Sequence, residues 1–411
     1  MLFLHFLNRV KCKVLILNFL FCRTRNPFRL NVNYEHDLVN RTIAIIGFVQ
    51  ALFGILLFIT KRPRHISFYI LIVWLALIAI FLSALLLPFQ VVDYFKPGIF
   101  PLLFLFGPLL YLYIGSLTIE NFRLKPKSFT HLIPFVVICI HRSLVNVVPI
   151  TSSSDLTENP HYIYNKIYYS FFILSLLVYW FLSLKLVLNH RKNIPYHFSN
   201  YTPRNTLNWS IFVLSLFLIF FIADFSMYYI RKILQIEIPV FTLLPVNLTL
   251  FTFIIILFGT NQTVIYPGIK NAQKEDFLKD ENSVLKSDRK LLNEKQKETL
   301  SETVNQYLKD KKPYLNPEYS LQMMADDLSI SREKLSYLIN SGQQKNFYKL
   351  INEFRVEEVK KKLLNPNFKH YTVLGVGLDC GFNSKTSFNR IFKEETGLTP
   401  SEYKKANSVK A

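Results

Sequence analysis

The sequence predicts an all-α protein: a multi-pass transmembrane helical bundle of about seven helices, followed by a cytoplasmic all-helical domain with two helix-turn-helix units. Three observations predict it. Before residue 260 the chain is a succession of long apolar runs. After it the composition turns polar and charged. In the C-terminal part, two short helical patterns are each joined to a second by a tight turn.

Composition sets the first bound. Apolar residues make up 51% and aromatics 15%, with 38 Phe, a balance typical of multi-span membrane proteins and rare in soluble ones. Apolar runs occupy 42–60, 66–87, 98–119, 130–149, 167–188, 208–230 and 240–259. Each approaches the roughly 20 residues that carry a helix across the hydrocarbon core. They are too long and too little alternating for barrel strands. His141, Arg142 and Asn146 interrupt the fourth. The four cysteines form no CxxC pair or regular spacing, which excludes a disulfide framework and a zinc site and suits a reducing compartment.

The loops give direction. Lys61, Arg62 and Arg64 follow the first run, Arg123, Lys125 and Lys127 the third, and Arg191, Lys192 and Arg204 the fifth. The alternate loops hold only Lys96, Lys166, Arg231 and Lys232, beside Asp93, Asp155, Glu158 and Glu237. The positive-inside rule puts the first set in the cytoplasm, and seven spans then put everything after residue 260 there as well. Residues 1–40 disagree: Arg9, Lys11, Lys13, Arg23, Arg25 and Arg29 fall on the expected outer side. The stretch VLILNFLFC resembles a signal-peptide core without a clean cleavage site, and an extension from a wrongly chosen start codon explains the segment equally well. It is an N-terminal extension of unknown role, ahead of a seven-helix transmembrane domain at 41–260.

Residues 261–292 read as a polar linker, and 293–406 as a compact helical domain. Residues 291–411 carry 20 basic and 15 acidic residues, a small part of the +20 of the whole chain, so charge alone argues weakly for a nucleic-acid partner. Geometry argues better. In SLQMMADDLSISREKLSYLINSG, Leu321, Met324, Ala325 and Leu328 form one apolar stripe, and Leu335, Leu338 and Ile339 the next. Ser331 is placed to cap the second helix, and small Ala325 permits the close crossing. Arg332, Glu333, Ser336, Tyr337 and Asn340 share the outer face. The device recurs in TVLGVGLDCGFNSKTSFNRIFK: Val373, Val376 and Cys380 point inward, Gly377 sits at the close contact, and Gly381 makes the turn. Asn383 or Ser384 caps a helix whose Phe388, Ile391 and Phe392 face inward, while Lys385, Thr386, Asn389, Arg390 and Lys393 face out. Phe347, Leu350, Ile351, Phe354, Val359 and Leu363 mark a connecting helix closed by NPN at 365–367. Two such units on one rigid helix match successive major-groove turns roughly 34 Å apart.

These residues, above all VGLDCGFNSKTSFNRIFKEETGLTPSEYKK with SLQMMADDLSISREKLSYLIN and FYKLINEFRVEEVKKKLL, resemble the DNA-binding domain of AraC/XylS-type transcription regulators over about 293–406. The resemblance implies a bihelical domain whose third and sixth helices enter the major groove. It assigns DNA contact to Arg332, Glu333, Ser336 and Tyr337, and to Lys385, Thr386, Asn389, Arg390 and Lys393. Lys334, Lys385 and Lys393 are the expected phosphate neighbours, and Glu333 would accept from cytosine N4. Two departures stand out: Gly377 where the family usually has Ala, and Gly375 in the same helix, at a cost of roughly 1 kcal/mol of helix propensity. The membrane half is similar, in architecture only, to seven-span sensor regions that precede such domains in bacterial regulators.

Within the bundle, Arg142 and Asp224 are the notable ionisable residues. They are expected at comparable depth in the outer halves of their spans, where they could pair as an intramembrane signal site or as a structural ion pair. Asn247, Gln50 and His141 are expected to hydrogen-bond between helices, and Pro101, Pro108, Pro134 and Pro245 to kink theirs. No P-loop, HExxH, GxSxG, kinase signature or metal-spaced His/Cys cluster appears, so the chain reads as no enzyme, with neither cofactor nor metal.

The expectation is therefore a membrane-bound, sequence-specific transcription regulator of the bacterial inner membrane, its C-terminal domain in the cytoplasm. Its partners would be promoter DNA, the lipid bilayer and an unknown small-molecule or membrane signal; a homodimer is a further hypothesis. The alternatives are a transporter or channel with a regulatory DNA-binding tail, and an interaction module that no longer binds DNA.

Overall fold

A computed structural model describes residues 27–62, 65–86, 100–120, 122–145, 160–234, 243–262, 294–342 and 345–408. Among these every named element is helical. The N-terminal part contains α1 (Pro27–Thr60), α2 (Ile66–Leu86), α3 (Phe106–Thr118), α4 (Ile133–Val145), α5 (Tyr162–His197), α6 (Asn208–Leu234) and α7 (Leu244–Asn261). Most of the linker and the first 26 residues lie outside the described ones.

Each apolar run becomes a helix. Six have the length and apolarity to cross a membrane, so the chain has transmembrane character. The sixth run differs: the apolar part of α6 is the shorter stretch Asn208–Asp224. The prolines behave otherwise than expected. Pro108, Pro134 and Pro245 stand in the first turns of α3, α4 and α7, and Pro101 at the start of the 3-10 turn Phe100–Leu105. At Pro101 and Pro245 the missing N–H costs nothing, while Pro108 and Pro134 sit where a 3-10 stretch passes directly into α3 and α4. The proline inside a described helix is Pro195, in the last turn of α5.

Helix α1 packs on α2 and α7, α3 on α5, and α6 on α5 and α7. In α1, small residues recur as Ala44, Gly47, Ala51 and Gly54. A Cβ on Gly47 would collide with Thr249, and one on Gly54 would lie 2.6 Å from Ile256 Cδ1. The stripe thus lets α1 and α7 approach closely, as small residues do between helices in lipid. Trp74 centres the core, its ring 6.2 Å from Phe106, 6.0 Å from Phe217 and 5.3 Å from Phe251. Helix α4 is peripheral; Arg142 is its buried residue.

The C-terminal part contains α8 (Glu294–Lys311), α9 (Leu321–Asp327), α10 (Arg332–Tyr337, continued by a π turn Leu338–Gly342), α11 (Phe347–Leu364), α12 (Val373–Asp379), α13 (Lys385–Thr396) and α14 (Pro400–Ser408). Two cores lie on either half of α11. One joins Leu321, Met324, Ala325, Leu335, Leu338 and Ile339 to Phe347, Leu350 and Ile351. The other joins Val356, Val359 and Leu363 to Val376, Cys380, Phe382, Phe388, Ile391 and Phe392. Gly377 is explained by its neighbour: a Cβ there would stand 2.7 Å from the Phe388 ring. At Gly381, φ is +93° and a Cβ would meet the Tyr314 carbonyl.

The two parts touch. Helix α5 packs on α9 and α11, and residues 198–202, which follow α5, lie against the C-terminal helices through an antiparallel bridge between Phe198 and Ser320.

Candidate nucleic-acid interface

Both helix-turn-helix units are set by side-chain caps. Ser320 caps α9 and Ser331 caps α10, each hydroxyl accepting from a backbone N–H 3.3 Å away. Thr372 caps α12, and Ser384 caps α13 with Ser387 N at 3.2 Å. Of the two expected caps for α13, Ser384 takes the role, while Asn383 turns outward to donate to the Tyr201 carbonyl at 2.9 Å. Such caps typically contribute about 1 kcal/mol each, and here they fix where both outward helices begin.

On α13, Lys385, Thr386, Arg390 and Lys393 are exposed and Asn389 half-exposed, one face at helical spacing. Arg390 is braced: it meets Glu394 at 2.8 Å and donates to the Tyr348 hydroxyl at 2.9 Å. On α10, Glu333 and Lys334 are exposed, Ser336 and Tyr337 partly so. Ser336 accepts from Asn340 at 3.2 Å, and Lys297 lies 5.7 Å from the Tyr337 ring. Arg332 is held most: it pairs with Glu120, beyond the end of α3, and meets Glu333 at 3.2 Å. Its side chain is only 17% exposed. Burial lowers its pKa and neighbouring Glu333 opposes that, so it stays a cation.

Sequence reasoning missed the contact between the two parts. Arg355 of α11 is fully buried. Its Nε donates to Tyr314 O at 2.7 Å, and its terminal nitrogens reach Ser199 O at 2.9 Å, Ser199 Oγ at 3.0 Å, Asn316 O at 2.9 Å and Asn352 Oδ1 at 3.3 Å. Burial lowers its pKa to about 9; it remains charged at neutral pH and needs those acceptors. Ser199 donates to Tyr319 O at 2.5 Å, and Asn200 to Pro317 O at 2.7 Å and Gly381 O at 2.9 Å. A signal lay in the sequence: Arg355 sits between Phe354 and Val356, on the apolar side of an otherwise charged helix.

Within the bundle, Arg142 donates to Asn165 Oδ1 at 3.4 Å and stacks on Tyr168 at 4.9 Å. Asp224 accepts from Asn247 at 3.0 Å, and Phe217, Phe221 and Phe251 line a small recess beside them. These described partners differ, and none joins Arg142 to Asp224. Asn247 also donates to Phe220 O at 3.1 Å and His141 meets Tyr168 at 2.5 Å, both between helices as expected. Gln50 does not follow: its buried Oε1 has no hydrogen-bond partner. Among the described residues, no His/Cys/Asp/Glu group is arranged to hold a metal.

A family model described as a helix-turn-helix domain, of the AraC type, matches residues 324–406, from within α9 through α14. Residues 324–406 thus carry an AraC-type helix-turn-helix region, a type that supports DNA binding and transcription regulation, behind six helices that among the described residues are long and apolar enough to cross a membrane. Comparison with curated proteins and with solved structures finds no match.

Proposed function

We propose that the protein is a membrane-anchored, sequence-specific transcription regulator that couples a signal received by the helical bundle to promoter binding. The observation that carries the reading is the pairing of a helix-turn-helix match at 324–406 with six membrane-length apolar helices in one chain. Residues 41–260 act as sensor, 261–292 as linker and 293–406 as DNA-binding domain. Double-stranded DNA meets Lys385, Thr386, Asn389, Arg390 and Lys393 through α13, and Arg332, Glu333, Ser336 and Tyr337 through α10.

The domain faces the cytoplasm of a bacterial inner membrane. Two observations support this orientation. Glu120 and residues 198–202, which touch the C-terminal helices, belong to the loops after the third and fifth runs, and those are the basic loops of the positive-inside argument. Lys61, from the remaining basic loop, donates to Gly259 O at 3.3 Å, at the end of α7 that leads into the linker. The signal is a small molecule or a membrane component. Asp224 with its aromatic recess and Arg142 with Tyr168 are the polar intramembrane sites available to it. Pairing of two chains would present four outward helices to one operator.

The test is DNA binding by the full chain in lipid nanodiscs, titrated at several salt concentrations against duplexes it has enriched and against unrelated ones. A reader shows sequence preference together with a steep fall in affinity with salt. Arg390→Ala should weaken binding to the enriched duplex by about 1–3 kcal/mol. No sequence preference at any salt rejects the reading and leaves the interaction-module alternative.

A further inference from the structure

We infer that residues 198–202 together with Glu120 form an intrachain docking site for the helix-turn-helix domain, and that DNA competes with it for the first recognition helix. The inference rests on the DNA-binding reading and adds how binding is regulated.

The site is built from many hydrogen bonds, though the buried Asn200 Oδ1 has no partner. Ser199 and Asn200 are 1% and 3% exposed, so the middle of the segment is buried against the C-terminal helices while Tyr201 stays exposed. It meets backbone from both: Asn200 reaches Pro317 O ahead of the first unit and Gly381 O at the turn of the second. Arg355, on the helix that joins the units, clasps Ser199 O and Oγ. Releasing the segment would take two acceptors from the guanidinium and leave water to replace them. The docked domain is thus held by its own charge chemistry and not by proximity alone.

The two outward helices are treated unequally. Lys385, Thr386 and Lys393 on α13 stand exposed. On α10, Arg332, the first residue of the helix, is drawn onto Glu120. In a helix-turn-helix the N-terminal residues of the recognition helix enter the major groove, a depth of about 8.5 Å. A helix whose first side chain is paired to a loop of the bundle cannot make that entry. The duplex carries about one negative charge per 1.7 Å, so Glu120 and DNA seek the same cation, and each repels the other. Docked, the protein offers one reading helix; released, it offers two.

A disulfide tests this in the full chain. Phe198 and Ser320 face each other across the antiparallel bridge, and Ser199 N donates to Tyr319 O at 3.3 Å. They are therefore a non-hydrogen-bonded pair, the kind whose side chains come closest. The double variant Phe198→Cys/Ser320→Cys, with each single variant as control, is reconstituted in nanodiscs. Its probe is a duplex enriched by the reduced protein from a random library of about 30 bp, three helical turns. Closure of the bond is checked by mass spectrometry. The oxidised form should bind at least about tenfold more weakly than the reduced form, and its footprint should lose one major-groove turn. Independently, Glu120→Gln should raise affinity about three- to tenfold, since it removes the competing charge and keeps the shape.

Failure of the pair to close under oxidant overturns the docking geometry. Equal affinity and footprint in closed and open forms overturn the competition. Unchanged affinity of Glu120→Gln removes the Glu120 arm. If even the reduced form binds no duplex, the DNA-binding reading falls instead, and the two failures are told apart.

Discussion

Arg355→Met is the most informative single change, because the guanidinium it removes joins three segments of chain. Its five contacts do not count equally. Asn316 O keeps the Tyr319 N–H at 3.2 Å, and Ser199 O keeps Asn352 Nδ2 at 3.2 Å. Ser199 Oγ still donates to Tyr319 O. Tyr314 O and Asn352 Oδ1 keep no other described donor. Leaving a buried acceptor unpaired costs about 1–3 kcal/mol, and each lost bond to a charged donor about 1.5–3 kcal/mol. Against this, the variant no longer buries a charge, which returns several kcal/mol, and Met fills most of the volume. The lost bonds and the regained desolvation largely offset, and the two orphaned acceptors leave a destabilisation of about 3 kcal/mol. For a helical region of this size that lowers Tm by roughly 10–15 °C. Thermal proteolysis of the full chain in nanodiscs, followed at the C-terminal helices, measures it. Amide exchange at residues 198–202 should rise in parallel, because the segment loses its clasp. Arg355→Lys should rescue little, since one ammonium cannot reach carbonyls at 199, 314 and 316 together. A Tm within about 2 °C of the parent, with residues 198–202 still protected, would falsify the assignment of Arg355 as the clasp.

Other changes test separate parts. Gly47→Leu should separate α1 from α7, because its side chain must displace Thr249; a loss of about 1–3 kcal/mol or more is expected, read as a lower melting temperature in detergent. Gly377→Ala sets a helix-propensity gain of about 1 kcal/mol against a Cβ 2.7 Å from a buried Phe388 ring. Overpacking should win by about 1 kcal/mol, and a stabilised variant would show that the ring moves freely. Lys385→Ala/Lys393→Ala should weaken binding to enriched and unrelated duplexes alike and reduce the salt slope by about 2; a change confined to one sequence would make these base contacts.

What could be read from the sequence follows the range of the interaction. Hydropathy is local, so the apolar runs come through as helices, although α1 starts at Pro27 and α5 runs on to His197, well beyond the apolar stretches; cap chemistry is local too, so Ser331 and Ser384 sit where the pattern puts them. The inward faces follow helical periodicity: Leu321, Met324, Ala325, Leu335, Val376, Phe388 and Phe392 are buried, while Leu328 and Val373 are partly so. The effect of a proline depends on its position within a helix. A proline one residue inside a helix start is harmless, and the residue type alone does not say where that start lies. Arg142 and Asp224 share an expected depth, but depth fixes only one coordinate; rotation about each helix axis gives them Asn165 and Asn247 as neighbours instead. The docking segment was not visible at all. Ser199, Asn200 and Tyr201 look like any polar loop, and their partners lie more than a hundred residues away. No periodicity encodes such a contact.

The long helix α5 gives that contact its meaning. At 36 residues and 1.5 Å per residue it is about 54 Å long, against a hydrocarbon core of about 30 Å. Its polar end, from His190 to His197, thus carries the membrane span without interruption to the segment that Arg355 grips. Tilt or rotation of α5 would be delivered to Ser199 through this one helix, whose last turn holds Pro195. Under the proposed coupling, a signal that altered packing around α5 by an ångström or two would act on hydrogen bonds whose geometry tolerates little more than that. Because the docked and released arrangements differ by a few such bonds and one ion pair, a signal need supply only a few kcal/mol of preference for one of them to shift the population decisively.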